Sequence, residues 1–304
     1  MPQKILITGG TGLVGTRLID MLLKNGFSVN ILSRGATTVA GCECFLWDVN
    51  KQYIDERAFE NVSIIIHLAG AGIADKPWTE KRKSEIISSR VKSANLLYEY
   101  VQKLHLKIDV FISSSAIGYY GSNTGNIQHD ENSPNGTDFL AQVCQLWENA
   151  AYDFKNIDSR VVCVRTGIVL DKDSGALPKM AFPVKYGFGA YLGYGSQWMS
   201  WIHVDDLCEI FLASIKDSTI AGPINAVAPN PVTNKEFTRL LGQALHRWVL
   251  PLYIPNLFFK IIFGEMAIVV TGSCYVKCKY LSDIGFVYKY RTLDTALQEI
   301  YKQN

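Results

Sequence analysis

Three glycines at three-residue intervals, Gly9, Gly12 and Gly15, follow the apolar run Lys4-Ile-Leu-Ile-Thr8. They open the segment from Gly12 to Asn25, where Leu13, Leu18, Met21 and Leu22 recur at helical spacing. The chemistry served by such a strand–turn–helix junction is the binding of a pyrophosphate. Gly9 permits the tight turn, Gly12 lets the backbone approach the phosphates, and Gly15 lets helix and strand pack closely. The helix N-terminus adds N–H groups and a partial positive charge. The pattern predicts a dinucleotide site. An acid at the end of the second strand would accept hydrogen bonds from an adenosine ribose and favour NAD. The sequence has Leu32-Ser33-Arg34-Gly35 there instead. The Arg34 guanidinium can bind a 2′-phosphate and stack on adenine, and the Ser33 hydroxyl can donate to the same phosphate, which predicts NADP.

A second group of polar side chains ends another apolar run. Ser113, Ser114 and Ser115 close the segment that begins at Val110, and Tyr119 and Tyr120 follow within one turn. A serine hydroxyl at a strand end can polarise a substrate oxygen, and a phenol can exchange a proton with it. The plainer roles are a hydroxyl that satisfies its own strand end and aromatic packing. Elsewhere the chemistry is thinner. His203-Val-Asp205-Asp206 reads as a helix start with Asp side chains capping N–H groups. Arg165 either binds a ligand phosphate or anchors its segment, and Tyr194, Trp198 and Trp201 are candidates to line a pocket. Cys144 has no base near it in sequence and reads as core packing.

These residues must be held by the elements between them. Apolar strand patterns at 4–8, 28–33, 44–47, 63–68, 110–114 and 160–166 alternate with helical patterns at 12–25, 79–104 and 138–154. That alternation predicts an α/β fold with a doubly wound parallel sheet covered on both faces. After about residue 170 the pattern loosens. The stretch 175–195 carries glycines among aromatics and is expected to be irregular and site-facing. A helix is expected to follow 201–204 and run through Lys216, with a last strand at 224–228. Thr233-Asn-Lys-Glu236 opens a further helix with a capping box. The remainder, 251–304, is expected to be a small, mostly helical cap with a short strand or turn around Phe286. Its final helix, 293–301, shows Leu293, Leu297 and Ile300 on one face.

Composition sets the outer bounds. The 304 residues are 48% hydrophobic and 19% charged, a globular balance that excludes disordered, collagenous and coiled-coil chains. Thirty Lys and Arg against 28 Asp and Glu leave a net charge of +2 with no basic block, so no nucleic-acid partner is expected. No membrane partner is expected either: the most apolar stretch, 257–270, is broken by Lys260 and Glu265, and reads as a helix packed on the protein's own core. Met1 to Lys4 lead straight into the first strand, so no signal peptide is expected. The seven cysteines form no disulfide framework or Cys-x-x-Cys pair and the five histidines are scattered. No metal site is expected, and reduced thiols point to the cytoplasm.

The glycine turn, His67-Leu-Ala-Gly70, Phe111-Ile-Ser-Ser-Ser115, Trp201-Ile-His-Val-Asp-Asp206 and Leu281-Ser-Asp-Ile-Gly-Phe286 resemble, in their order, the extended short-chain dehydrogenase/reductase superfamily. More narrowly, Leu68-Ala-Gly-Ala-Gly-Ile-Ala-Asp75, Trp78-Thr-Glu-Lys-Arg82, Ser89-Arg90-Val91 and Ala116-Ile-Gly-Tyr-Tyr-Gly121 are similar to its atypical epimerase family subgroup. That subgroup is also labelled sugar-nucleotide epimerase-like or cell-division-inhibitor-like. The likeness runs essentially from end to end. It implies a Rossmann-type NADP-binding domain over 1–173, completed by about 201–230, and a small C-terminal substrate domain formed by 174–200 and 231–304. It also implies that Gly9, Thr11, Gly12, Leu13 and Val14 cradle the pyrophosphate, Ser33 and Arg34 the 2′-phosphate, and Leu68, Ala69 and Gly70 the adenosine. Glu85 and Arg90 would face the cofactor, and Val169 would line its nicotinamide end.

The sequence departs from the superfamily at one place that matters. Typical members carry a Tyr-x-x-x-Lys pair on the helix after the fifth strand, where the lysine tunes the phenol for proton transfer. Counted back from Glu148, the two slots fall on Leu140 and Cys144, and a one-residue slip gives Phe139 and Val143. Ser115, Tyr119 and Tyr120 are then the candidate catalytic groups. Two readings follow: an NADP(H)-dependent oxidoreductase or epimerase-like enzyme acting on a small molecule, a sugar nucleotide or a carbonyl compound; or an NADP(H)-binding sensor or partner-binding protein with little turnover.

Overall fold

The sheet is built from eight strands: β1 (Lys4–Thr8), β2 (Ser28–Ser33), β3 (Cys42–Asp48), β4 (Tyr53–Ile54), β5 (Val62–His67), β6 (Val110–Ala116), β7 (Arg160–Thr166) and β8 (Gly222–Ala226). Their order is β8-β7-β6-β5-β1-β2-β3-β4, parallel throughout except for the terminal β3–β4 pair. This is the doubly wound α/β sheet expected from the alternation. The computed structural model describes residues 3–302. Met1, Pro2, Gln303 and Asn304, the outer ends of the two expected domains and of the expected entry into the first strand, lie outside the described residues.

Both faces of the sheet are buried because successive strand residues are apolar. Ile5 and Ile7 join Leu18 and Leu22 of α1 (Leu13–Lys24) on one face, while Leu6 joins Leu96 and Leu97 of α2 (Glu80–Lys103) on the other. α3 (Phe139–Tyr152) covers the α2 side. There Phe111 stacks on Phe154 with ring centroids 3.8 Å apart, and truncating either ring should cost about 3–5 kcal/mol. A third cluster forms a smaller lobe from α4 (Ala176–Lys185), α6 (Asn234–Ala244) and the terminal helix Leu293–Ile300, while α5 (Val204–Lys216) packs on the sheet in the same cluster as α1. Leu293, Leu297 and Ile300 are buried together there.

Three local readings are corrected, and one strand is new. The stretch 175–195 is not irregular throughout: Leu177, Ala181 and Val184 fall on one face and make α4, with Pro183 tolerated near its end. The polar segment Asn123–His129 is a strand, paired with Ser273–Val276. At the start of α5 the cap is His203, whose Nδ1 accepts from the Asp205 N–H at 3.1 Å. The aspartates turn elsewhere: Asp206 accepts from the Lys289 and Tyr290 N–H groups at 2.7 and 3.0 Å, and Asp205 pairs with Arg17 at 2.8 Å. Finally, α7 (Asn256–Phe263) is not packed on the core, since Phe259 is its single buried residue. Around Phe286 the chain makes a turn rather than a strand, with Phe286 N–H on the Leu281 carbonyl at 2.9 Å. Among the described residues no helix is long and apolar enough to cross a membrane.

Candidate functional site

The glycine turn is closed by the Gly12 N–H on the Gly9 carbonyl at 3.0 Å, with Gly9 at φ +71°. A Cβ on Gly15 would overlap Gly10 and the Gly9 carbonyl, so the residue is fixed by the close approach of α1 to the turn. α1 begins with no side-chain cap and no acid in its first turn. The early N–H groups of Leu13 and Val14 therefore stand without an intrahelical partner, a ready anion site. Thr11 and Gly12 are exposed above them.

The turn is braced by the end of β5. Leu68 N–H donates to the Thr8 carbonyl and Ala69 N–H to Thr8 Oγ1, both at 3.2 Å. Thr8 Oγ1 lies 2.8 Å from His67 Nδ1, and Ser93 Oγ lies 3.1 Å from His67 Nε2. Burial pushes this imidazole down to about 4, so it is a neutral strut joining β1, β5 and α2. Beyond it, Arg90 Nη1 donates to the Ala71 and Ile86 carbonyls at 3.0 and 2.9 Å, and its guanidinium lies over Trp147. Burial pushes Arg90 down to about 10, and its Nε is buried without a partner. Glu85 is not its mate: it pairs with Arg82 at 2.8 Å, which holds the Glu85 carboxyl below its usual range. Arg82 in turn donates to the Gly72 carbonyl at 2.5 Å. Two arginines of α2 thus hold the 70–72 loop by its carbonyls; the sequence hinted at Arg82 only as part of a motif.

At the end of β2, Ser33 is half-buried and Arg34 exposed. A cleft of about 460 Å³ opens beside them, lined by Gly35 to Thr38, Cys44 to Leu46, Asp55 and Arg57. Arg57 is neutralised by Asp55 at 2.9 and 2.6 Å, whereas Arg34 stands in none of the ion pairs among the described residues. Val169 sits in a short strand, Ile168–Leu170, and the Gly175 Cβ position falls 2.9 Å from Leu13 Cδ1 and 3.9 Å from the Val169 carbonyl. The chain therefore brings Leu13 and Val169 to one place.

Residues 5–226 match the NAD dependent epimerase/dehydratase family. The chain belongs to that family. A second match, to a domain of unknown function, covers residues 254–300. The chain is 32% identical over 305 residues to the epimerase family protein SA0724 of Staphylococcus aureus, covering 99% of this chain and 100% of that one. It is similar to the crystal structure of human epimerase family protein SDR39U1 with NADPH, at 28% identity and a TM-score of 0.88, covering 99% and 100% of the two chains. UDP-glucose 4-epimerase of Thermotoga maritima, solved with UDP-glucose, shares the fold alone at 18% identity and a TM-score of 0.80, covering 99% of this chain and 98% of that one.

In this family member the three candidate hydroxyls divide. Ser115 donates to Glu148 Oε1 at 2.7 Å, and Arg165 grips both Glu148 oxygens at 2.8 Å. Arg165 also donates to the Tyr120 hydroxyl at 3.0 Å, which donates to Asn225 Oδ1 at 2.7 Å. All five side chains are buried, and burial pushes the Tyr120 phenol above its ordinary value. Tyr119 is half-buried, its ring 3.4 Å from the Arg165 guanidinium carbon, and its hydroxyl has no protein partner among the described residues. Arg165 is thus an anchor. Leu140 and Cys144 on α3 pack against the turn after β6: the Gly118 Cβ position lies 3.3 Å from Leu140 Cβ and 3.7 Å from Cys144 Sγ. Burial, and then Glu148, pushes the Cys144 thiol up to about 12. Trp201 does not line a pocket; it is fully buried with its Nε1–H on the Asn230 carbonyl at 3.1 Å. Tyr194 is exposed, and Trp198 is tied to Asn126 at 2.9 Å.

Proposed function

We propose that the protein binds NADP(H) and acts as an oxidoreductase or epimerase-like enzyme on a small carbonyl compound or sugar nucleotide. The observation that carries the cofactor is the pairing of an uncapped, acid-free α1 N-terminus with an Arg34 that has no carboxylate partner among the described residues. The residues fit the group: the Gly9 turn and the first N–H groups of α1, with Thr11, Leu13 and Val14, would hold the pyrophosphate. Ser33 and Arg34 would hold the 2′-phosphate, Leu68 to Gly70 the adenosine, and Val169 the nicotinamide end. Arg90, with its unpartnered Nε, would stand along the cofactor, and Glu85 would act through Arg82. When bound, the cofactor supplies a hydride. The chain's part is to orient the carbonyl and exchange a proton. Tyr119 takes that role because its hydroxyl is uncommitted, while Ser115 and Tyr120 position its segment. With all seven cysteines free thiols, we place the protein in the cytoplasm.

One observation favours a second reading, an NADP(H)-binding protein with little turnover: the strand-end serine is committed to Glu148. Hydride transfer from NADPH to a panel of carbonyl compounds and sugar nucleotides separates the two. General acid–base help is worth ~10²–10⁴-fold, so Tyr119→Phe should lower turnover by about 10²-fold and Cys144→Ala by less than about twofold. Wild-type protein that binds NADPH yet reduces nothing supports the second reading.

A further inference from the structure

The face built by α7 and the loops beside it is apolar, aromatic and uncovered. Trp248 is 92% exposed and Ile261 76%. Leu257, Phe258 and Ile262 are exposed around the same helix, leaving α7 only Asn256 and Lys260 as polar side chains to give to water. The patch is continuous with the loop after α4. Leu250 N–H donates to the Gly189 carbonyl and Tyr191 N–H to the Leu252 carbonyl, at 2.8 and 2.9 Å. Arg247 Nε donates to the Lys185 carbonyl at 3.2 Å. Exposed Phe188 therefore lies beside Trp248 and Leu250. An uncovered apolar surface of this kind marks an interaction site.

Charge says what covers it. The chain carries 28 Asp and Glu in 304 residues, yet segments 176–203 and 237–264 contain none; exposed Glu236 and Glu265 stand just outside them, and Glu265 is paired with Lys83. They do carry Lys185 and Arg247, joined through the Lys185 carbonyl, and Lys260 on α7 itself, all exposed and none in an ion pair among the described residues. A second copy docked symmetrically would set these cations against their own equivalents, with the bordering Glu265 already committed to Lys83. A protruding helix is also not a pocket for a small apolar molecule. Apolar and aromatic side chains ringed by unpaired cations suit an anionic lipid surface.

We propose that this face seats the protein on an anionic membrane surface, with Trp248, Ile261 and Ile262 entering the headgroup boundary and Lys185, Arg247 and Lys260 meeting lipid phosphates. The segment lies on the bilayer rather than across it, since α7 spans eight residues. The expectation of no membrane partner rested on the breaks at Lys260 and Glu265, a length too short to span a bilayer, and packing on the core; within α7 only Phe259 is buried. The proposal is independent of the nucleotide site.

Flotation of the full chain with vesicles tests it. Vesicles of phosphatidylglycerol mixed with phosphatidylcholine should carry the protein upward; phosphatidylcholine alone, or high salt, should lower the bound fraction at least about tenfold. The pair Ile261→Ser with Ile262→Ser, and separately Arg247→Glu with Lys260→Glu, should each lower it at least about tenfold, with NADPH binding and thermal unfolding unchanged. No flotation of folded wild type, or flotation indifferent to both pairs, overturns the proposal. So does a lipid-free dimer, seen by light scattering, that the serine pair splits, since the face would then join two copies.

Discussion

Ser115 and Glu148, from β6 and α3, share a 2.7 Å hydrogen bond at the strand end where a substrate-polarising hydroxyl was expected, and Arg165 closes the far side of the same carboxylate. The serine thus serves the frame around the site. Removing its hydroxyl deletes one bond to a charged group, worth about 1.5–3 kcal/mol. Removing the carboxylate leaves Arg165 buried and uncompensated, which costs about 3–5 kcal/mol. Urea unfolding should rank Glu148→Ala well below Ser115→Ala in stability. Equal losses would show that the carboxylate is not the centre of the network.

The glycine turn separates binding from folding. Gly12 has little near its Cβ position except the Gly9 carbonyl at 3.3 Å, so Gly12→Val should fold. Its branched side chain then stands where the pyrophosphate approaches, and NADPH binding should be lost. Gly15→Val, by contrast, has no room against Gly10 and should unfold the turn itself. Circular dichroism and a fluorescence titration read the two outcomes. Normal NADPH binding by Gly12→Val would place the nucleotide elsewhere.

Stability should fall on mild acidification. His67 is neutral in the folded protein because burial lowers it to about 4, while the unfolded chain takes up a proton near its ordinary value of 6.5. Its contribution is therefore fully present above about pH 6.5 and is lost as pH drops toward 4, by up to about 1.4 kcal/mol per pH unit. His203, also lowered to about 4 by burial, acts in the same sense. Urea unfolding at several pH values should show a shallower slope for His67→Asn than for wild type. Parallel slopes would mean that His67 is already charged in the folded state.

The sheet was legible where both faces are buried. Lys4–Thr8, Ser28–Ser33 and Arg160–Thr166 were legible because their interior residues are apolar, apart from Asn30, which donates to the Ala58 carbonyl, and Arg165, which is paired with Glu148. α4 was hidden by Pro183 and the surrounding glycines, and Asn123–His129 by its polar residues, since that strand is held by pairing rather than burial. α7 misled for a different reason: its apolarity is plain in the sequence, but apolarity does not say whether the protein's own core or something outside covers it. The glycine turn and Arg34 were legible as local patterns. The network through Ser115, Glu148, Arg165 and Asn225 was not, because it joins residues up to 110 positions apart in the numbering that share no motif.

The most direct test of the account is a calorimetric titration of wild type and Arg34→Ala with NADPH and with NADH. A charge-assisted phosphate contact is worth roughly 1.5–3 kcal/mol, so wild type should bind NADPH at least about tenfold more tightly than NADH. Arg34→Ala should bring the two within about threefold, chiefly by weakening NADPH. Equal affinities in wild type, or a preference that survives the loss of Arg34, would contradict the assignment.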